Sequence, residues 1–299
     1  MSRIAYVNGR YLPHGAAGVH VEDRGYQFSD GVYEVCEVRR GRLVDEHLHL
    51  ARLDRSLAEL RIARPMTQAA LGVVLREVVR RNRVTDGIVY LQVTRGVAPR
   101  DHAFPAGDVL PAVVVTARPI DQASRDRRAG EGVAVITLPD NRWPRVDIKT
   151  VSLLPNVLAK QQAREAGAFE AWFVDADGRV TEGTSSNAWI VTAKGAVVTR
   201  SADRGILRGV TRTVLLEALA DEGLALQERP FSVAEATGAR EAFLTSATAI
   251  VLPVTRIDGR KIGTGRVGPV AKRLRALHRT FAEEAPARSS PAAPQRSDK

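Results

Sequence analysis

Six lysines stand in the chain, Lys149, Lys160, Lys194, Lys261, Lys272 and Lys299, so any chemistry that needs an amine must use one of them. Lys149 lies in Val146-Asp147-Ile148-Lys149-Thr150-Val151-Ser152-Leu153-Leu154, an apolar stretch between an expected loop and an expected helix. Apolar neighbours hydrate an amine poorly and favour the neutral form, which attacks a carbonyl carbon to make a Schiff base. A lysine snorkelling at a helix start fits the same residues.

Downstream, Val180-Thr181-Glu182-Gly183-Thr184-Ser185-Ser186-Asn187 sets one carboxylate among small and hydroxyl residues between two expected strands. A ring-nitrogen cofactor that draws electrons from its substrate wants an anion opposite that nitrogen. Glu182 supplies one, and the hydroxyls could line the ring or a phosphate; a hydrogen-bonded hairpin turn is the plainer alternative. Gly205-Ile206-Leu207-Arg208-Gly209-Val210-Thr211-Arg212 leads into an apolar helix. Open N–H groups and the positive end of a helix bind phosphate there, unless Thr211 is simply a cap. After a further strand, Thr94-Arg95-Gly96-Val97-Ala98-Pro99-Arg100-Asp101-His102 carries two arginines and a histidine. Arginine's planar fork matches a carboxylate, although a solvated loop has the same composition. The polar-aromatic run from Glu22 to Glu34 feeds a strand on which Tyr33 could face a pocket.

The elements that must position these residues are legible from periodicity and turn residues. Strands are expected at Ile4 to Val7 and Val32 to Arg39, with turns at Asn8-Gly9 and Arg40-Gly41. Leu48 to Arg61 places Leu50, Leu53, Leu57 and Leu60 on one helical face, and Gln68 to Arg83 is a second amphipathic helix. Strands follow at Gly87 to Arg95 and Ala112 to Arg118. Farther on, strands at Val133 to Thr137, Ala171 to Val174, Ala188 to Thr192 and Glu241 to Thr245 alternate with helices at Leu153 to Ala166, Thr211 to Glu222 and Ser232 to Thr237. Alternation of sheet and helix places the fold in the α/β or mixed α+β class. The length of 299 residues suits two domains: a small one over 1–120 and a larger one over 133–284, joined by a polar linker at 121–132. The apolar-poor residues 285–299 are expected to be a disordered tail.

Bulk properties exclude several classes. No apolar run is long enough to span a bilayer, and the first ten residues lack a signal-peptide layout, so a cytoplasmic protein is expected. The single cysteine, Cys36, supports neither an internal disulfide nor a cysteine metal site. The net charge of +10 invites a nucleic-acid reading, but the arginines are interleaved with acids, as around Arg76, Glu77, Arg80 and Arg81, and solvated faces explain them.

Together and in this order, the five motifs resemble the class IV (branched-chain/D-amino-acid) aminotransferases, most closely their D-amino-acid branch, from about Asn8 to Arg273. The resemblance implies the two-domain fold type IV and pyridoxal 5'-phosphate (PLP) as cofactor. It also implies ping-pong transfer through pyridoxamine phosphate from a D-amino acid such as D-alanine or D-glutamate to 2-oxoglutarate or pyruvate. By the same resemblance Lys149 forms the Schiff base and shuttles the proton, Glu182 faces the pyridine nitrogen, Arg52 reaches the phosphate, and Leu207 packs on the ring. Val210 and Thr211 hold the phosphate, with Ser246, Ala247 and Thr248. Tyr33, Arg100 and His102 trap the substrate carboxylate, the last two reaching in from a partner subunit, which implies a homodimer. Relatives usually carry threonine where Ala247 stands, so Ser246, Thr248 or backbone N–H groups must compensate, and bacterial relatives carry lysine at Glu37. A branched-chain L-amino-acid aminotransferase, an (R)-amine transaminase or an aminodeoxychorismate lyase shares the scaffold; a cofactor-free binding protein is the alternative of another class.

Overall fold

The computed structural model describes residues 3–288. At Asn8-Gly9 both residues take positive φ, which Asn and Gly do at little cost, and the turn folds β1 (Ile4–Val7) onto β2 (Arg10–Pro13). A short helix, α1 (Arg24–Phe28), is capped by Asp23 and leads into β3 (Gly31–Arg39), which returns as β4 (Arg42–Leu43). Next come α2 (Glu46–Glu59), α3 (Gln68–Arg81), β5 (Gly87–Thr94) and β6 (Ala112–Pro119). The six strands form an antiparallel sheet in the order β2-β1-β6-β5-β3-β4. Leu50, Leu53 and Leu57 of α2, as the helical spacing requires, share a buried core with Leu75 of α3 and with Val89 and Leu91 of β5.

The stretch 121–132, expected as a polar linker, contains a helix, α4 (Gln122–Glu131). Asp121 caps it by accepting from the Ser124 N–H at 3.0 Å. Its polar sequence hides its packing because the inward residue is charged: Arg125 is buried and donates to Glu37 of β3 at 2.6 Å.

A second, ten-stranded sheet follows, built from β7 (Val133–Pro139), β8 (Glu170–Val174), β9 (Arg179–Gly183), β10 (Asn187–Val191) and β11 (Val197–Thr199), then β12 (Leu226–Glu228), β13 (Phe231–Ser232), β14 (Glu241–Ser246), β15 (Ile250–Ile257) and β16 (Arg260–Lys261). Its order is β12-β11-β10-β14-β15-β7-β8-β9-β13, with β16 on β15; β7 runs parallel to both of its neighbours. The helices α5 (Leu154–Glu165), α6 (Val210–Asp221), α7 (Val233–Thr237) and α8 (Pro269–Arg288) accompany it. Trp189 of β10 stacks on Phe243 of β14 at 5.5 Å in the core, against Leu215 and Leu219 of α6. The fold is thus mixed, two sheets with helices between and around them. Helix α8 continues to Arg288, past the expected start of the tail at 285, and residues 289–299 lie outside the described residues. No helix among the described residues is long and apolar enough to cross a membrane.

Candidate active site

Lys149 does not start a helix. Helix α5 begins five residues later, and the lysine lies in an extended segment laid along β3: the Tyr33 N–H donates to the Lys149 carbonyl at 3.0 Å, and Thr150 bridges to Val32. Two anchors hold the segment, Ile148 in the core of the first sheet and Asp147 between Arg55 (2.5 Å) and Arg145 (2.9 Å). Lys149 Nζ comes to rest 4.2 Å from the centre of the Tyr33 ring, itself stacked on Tyr90. Both Lys149 and Tyr33 line a cavity of about 310 Å³.

Glu182 lines the same cavity, from a strand rather than from the hairpin turn that its small neighbours suggest. It is 5% exposed and fully engaged: Oε1 accepts from Arg142 at 2.5 Å, and Oε2 accepts from Asn187 Nδ2 and the Leu207 N–H, each at 3.1 Å. Burial pushes its carboxyl pKa up, and the charge and hydrogen bond of Arg142 oppose that rise. Arg142 is anchored in turn by Asp140, which Thr181 also bonds. Thr184, Ser185 and Ser186 also line the cavity, and the hydroxyls of all three donate to the buried carboxylate of Glu170.

At another wall the cavity meets the start of α6, with Leu207, Val210 and Thr211 on its lining. Thr211 is not the cap. The N-cap is Gly209, without any side-chain hydrogen bond to the first turn, so the first N–H groups keep their donor capacity. A Cβ at Gly209 would collide with the Asn187 side chain, which ties Leu207 and Glu182 together. Ser246 at the end of β14, with Ala247 and Thr248 of the turn that leads to β15, closes the same region. Arg52 lines it too, its guanidinium gripped bidentately by Glu34 (2.8 and 2.7 Å) and donating to the Arg208 carbonyl at 3.1 Å. His49 bonds Glu34 from the other side at 2.7 Å. Burial raises the Glu34 pKa, but Arg52 and His49 outweigh it and hold the group at about 2.

Two expected residues are not brought to this cavity. Arg100 and His102 are exposed, packed over the Phe28 ring at 5.1 and 5.2 Å, and line no part of it in their own chain. Glu34, His49, Arg142 and Asn187, by contrast, are residues that sequence reasoning missed, although they hold the lining residues in place. The spacing of His49 and Arg52, one helical turn apart, is the available signal; the pairing of α2 with β3 that uses it is not visible in the sequence.

The profile of the family described as amino-transferase class IV matches residues 31–257. The chain belongs to the class IV aminotransferases. It is 44% identical to a D-alanine aminotransferase of Bacillus licheniformis over 278 residues, 93% of this chain and 96% of that one. It is 38% identical to a D-alanine aminotransferase of Staphylococcus haemolyticus, over 90% of this chain and 94% of that one. Among solved structures, this aminotransferase superposes on the T.th. branched-chain amino acid aminotransferase with pyridoxamine 5'-phosphate at a TM-score of 0.86, with 26% identity and 94% of each chain covered. A hypothetical aminotransferase from Mycobacterium tuberculosis in a PLP-bound form matches at 0.80, with 26% identity over 93% of this chain and 98% of that one.

Proposed function

We propose that this aminotransferase moves the amino group of a D-amino acid, D-alanine foremost, to a 2-oxo acid such as 2-oxoglutarate or pyruvate, with PLP as cofactor. The observation that carries the reading is the convergence of the Lys149 amine, the Glu182 carboxylate and the uncapped start of α6 on one cavity. That donor set fits PLP: an amine for its aldehyde, an anion for its ring nitrogen, and backbone N–H groups for its phosphate. The D-amino-acid assignment draws on the 44% identity to a D-alanine aminotransferase, against 26% to the branched-chain structure.

When bound, the cofactor draws electrons from the substrate Cα and makes the Cα–H acidic. Lys149 Nζ, the nearest amine, takes that proton and returns it on the other side of the exchange. Glu182 faces the ring nitrogen, with Arg142 and two N–H donors opposing the rise that burial gives its carboxyl pKa. Val210, Thr211, Ser246, Ala247, Thr248 and Arg52 hold the phosphate end, and Leu207 packs against the ring. Tyr33 takes the substrate carboxylate together with Arg100 and His102 of a second subunit. A homodimer suits the exposed apolar residues near both parts, Trp143, Leu154, Val157 and Leu158 beside the cavity and Tyr26 beside the arginine loop. On this reading 1–120 and 133–284 are the two domains. The buried free thiol of Cys36 suits a reducing cytoplasm.

Purified with PLP, the wild-type protein is expected to absorb at the edge of the visible range, and Lys149→Ala to lose that band and all transfer from D-alanine. A wild-type protein that stays colourless and inactive with added PLP would overturn the assignment.

A further inference from the structure

The turn from Ala247 to Ala249 runs into a strained residue at the start of β15. Ile250, buried and β-branched, takes φ +62°, a left-handed conformation that costs such a residue about 1–2 kcal/mol. Strain of this kind persists only where surrounding contacts determine the backbone. Here those contacts are two buried guanidinium groups. Arg275 Nη1 of α8 donates to the carbonyls on both sides of Ile250, Ala249 at 2.8 Å and Val251 at 3.0 Å. Arg125 Nη1 of α4 reaches the Thr248 carbonyl at 3.4 Å.

Each arginine is anchored by an acid, Arg275 by Asp126 at 3.1 Å and Arg125 by Glu37 at 2.6 Å. Glu37 lies on β3, on the strand face that Tyr33 and Val35 present to the cavity. Ala247 and Thr248 line the cavity and their N–H groups have no hydrogen-bond partner among the described residues, while the Ala249 N–H is taken by Ser246 Oγ at 3.1 Å.

We propose that Arg125 and Arg275, set by Glu37 and Asp126, are positioning residues: by gripping the carbonyls of this turn they aim the Ala247 and Thr248 N–H groups at the phosphate end of the cavity. Ala247 contributes no side-chain donor, so the grip on the backbone must do the work. The inference rests on the PLP reading above and adds to it a set of residues that never touch the ligand. It also gives Glu37 a role away from substrate choice.

The test compares PLP with pyridoxal, which lacks the phosphate, by titrating the full chain stripped of cofactor and following tryptophan fluorescence. Glu37→Gln and Arg275→Met are expected to weaken PLP about tenfold while pyridoxal binding stays as in wild type. Ala247→Thr, which adds a hydroxyl donor at the turn, is expected to restore PLP affinity in the Glu37→Gln background. PLP affinity unchanged in both variants, or PLP and pyridoxal weakened alike without rescue, would overturn the inference while leaving the cofactor assignment intact. A wild-type chain that binds neither PLP nor inorganic phosphate would overturn both.

Discussion

Glu182 is a buried carboxylate on which burial and a guanidinium act in opposite directions. Burial pushes its carboxyl pKa up, and the guanidinium of Arg142 at 2.5 Å is the main opposing influence. Removing that guanidinium leaves burial less opposed, so the carboxyl titrates higher still and is neutral over more of the working pH range. In Arg142→Met the acid limb of the pH profile of kcat/KM for D-alanine is therefore expected to move upward. Activity at pH 7 should fall about tenfold or more and recover as the pH is raised. A profile that drops evenly at every pH would mean that Arg142 only supports the fold. The place of Lys149 on the cavity is legible in the sequence once it is taken with the other motifs, since its own apolar neighbours also fit a snorkelling lysine. Arg142 is not, because its partner lies forty residues away on a strand that reads as a turn.

At the scale of elements, α2 and β3 are joined by the buried network His49–Glu34–Arg52, and through Arg52 they form one wall of the cavity. Taking one partner from a buried ion pair leaves the other charge uncompensated, which costs about 3–5 kcal/mol. Glu34→Ala should lower the stability of the cofactor-free protein in urea by that amount, whereas Arg64→Ala, which removes the exposed pair with Asp54, should change it by less than about 1 kcal/mol. Elements with a clear period are legible to within a residue or two: β1 at Ile4–Val7, α3 from Gln68 and β14 from Glu241. Others are hidden for physical reasons. Strand β9 carries Arg179, Thr181 and Glu182, and the last two are paired inside the protein rather than solvated. Strand β15 has Pro253 at its middle, a residue that argues against a strand, and its register with β7 shifts just beyond it. Helix α4 is held by a cap and by the buried ion pair of Arg125 with Glu37 more than by an apolar face, so periodicity passes over it.

For the whole molecule, Arg100 and His102 lie outside their own chain's cavity, and the proposed homodimer turns on that position. If a second subunit completes the carboxylate trap, Lys149→Ala and Arg100→Ala subunits should complement each other. In the mixed dimer one cavity then has its own Lys149 and receives an intact Arg100 from the neighbour. Co-refolding the two variants in equal amounts should restore up to about a quarter of wild-type activity, since random pairing makes about half the dimers mixed and each of these has one complete site. Mixtures no more active than their components would place Arg100 in its own chain's chemistry or outside the chemistry altogether. The sequence proposes this arrangement only through resemblance, because in one chain the loop of Arg100 and His102 looks like any exposed loop.

The central claim, a D-amino-acid donor handled by PLP on Lys149, is tested most directly by a half-reaction. The purified, cofactor-loaded protein is mixed with D-alanine alone, and separately with L-leucine alone, while absorbance at the visible edge is followed and released 2-oxo acid is assayed. D-alanine is expected to discharge the absorbance and release one pyruvate per site, with L-leucine leaving the spectrum unchanged. Discharge by L-leucine and none by D-alanine would contradict the account.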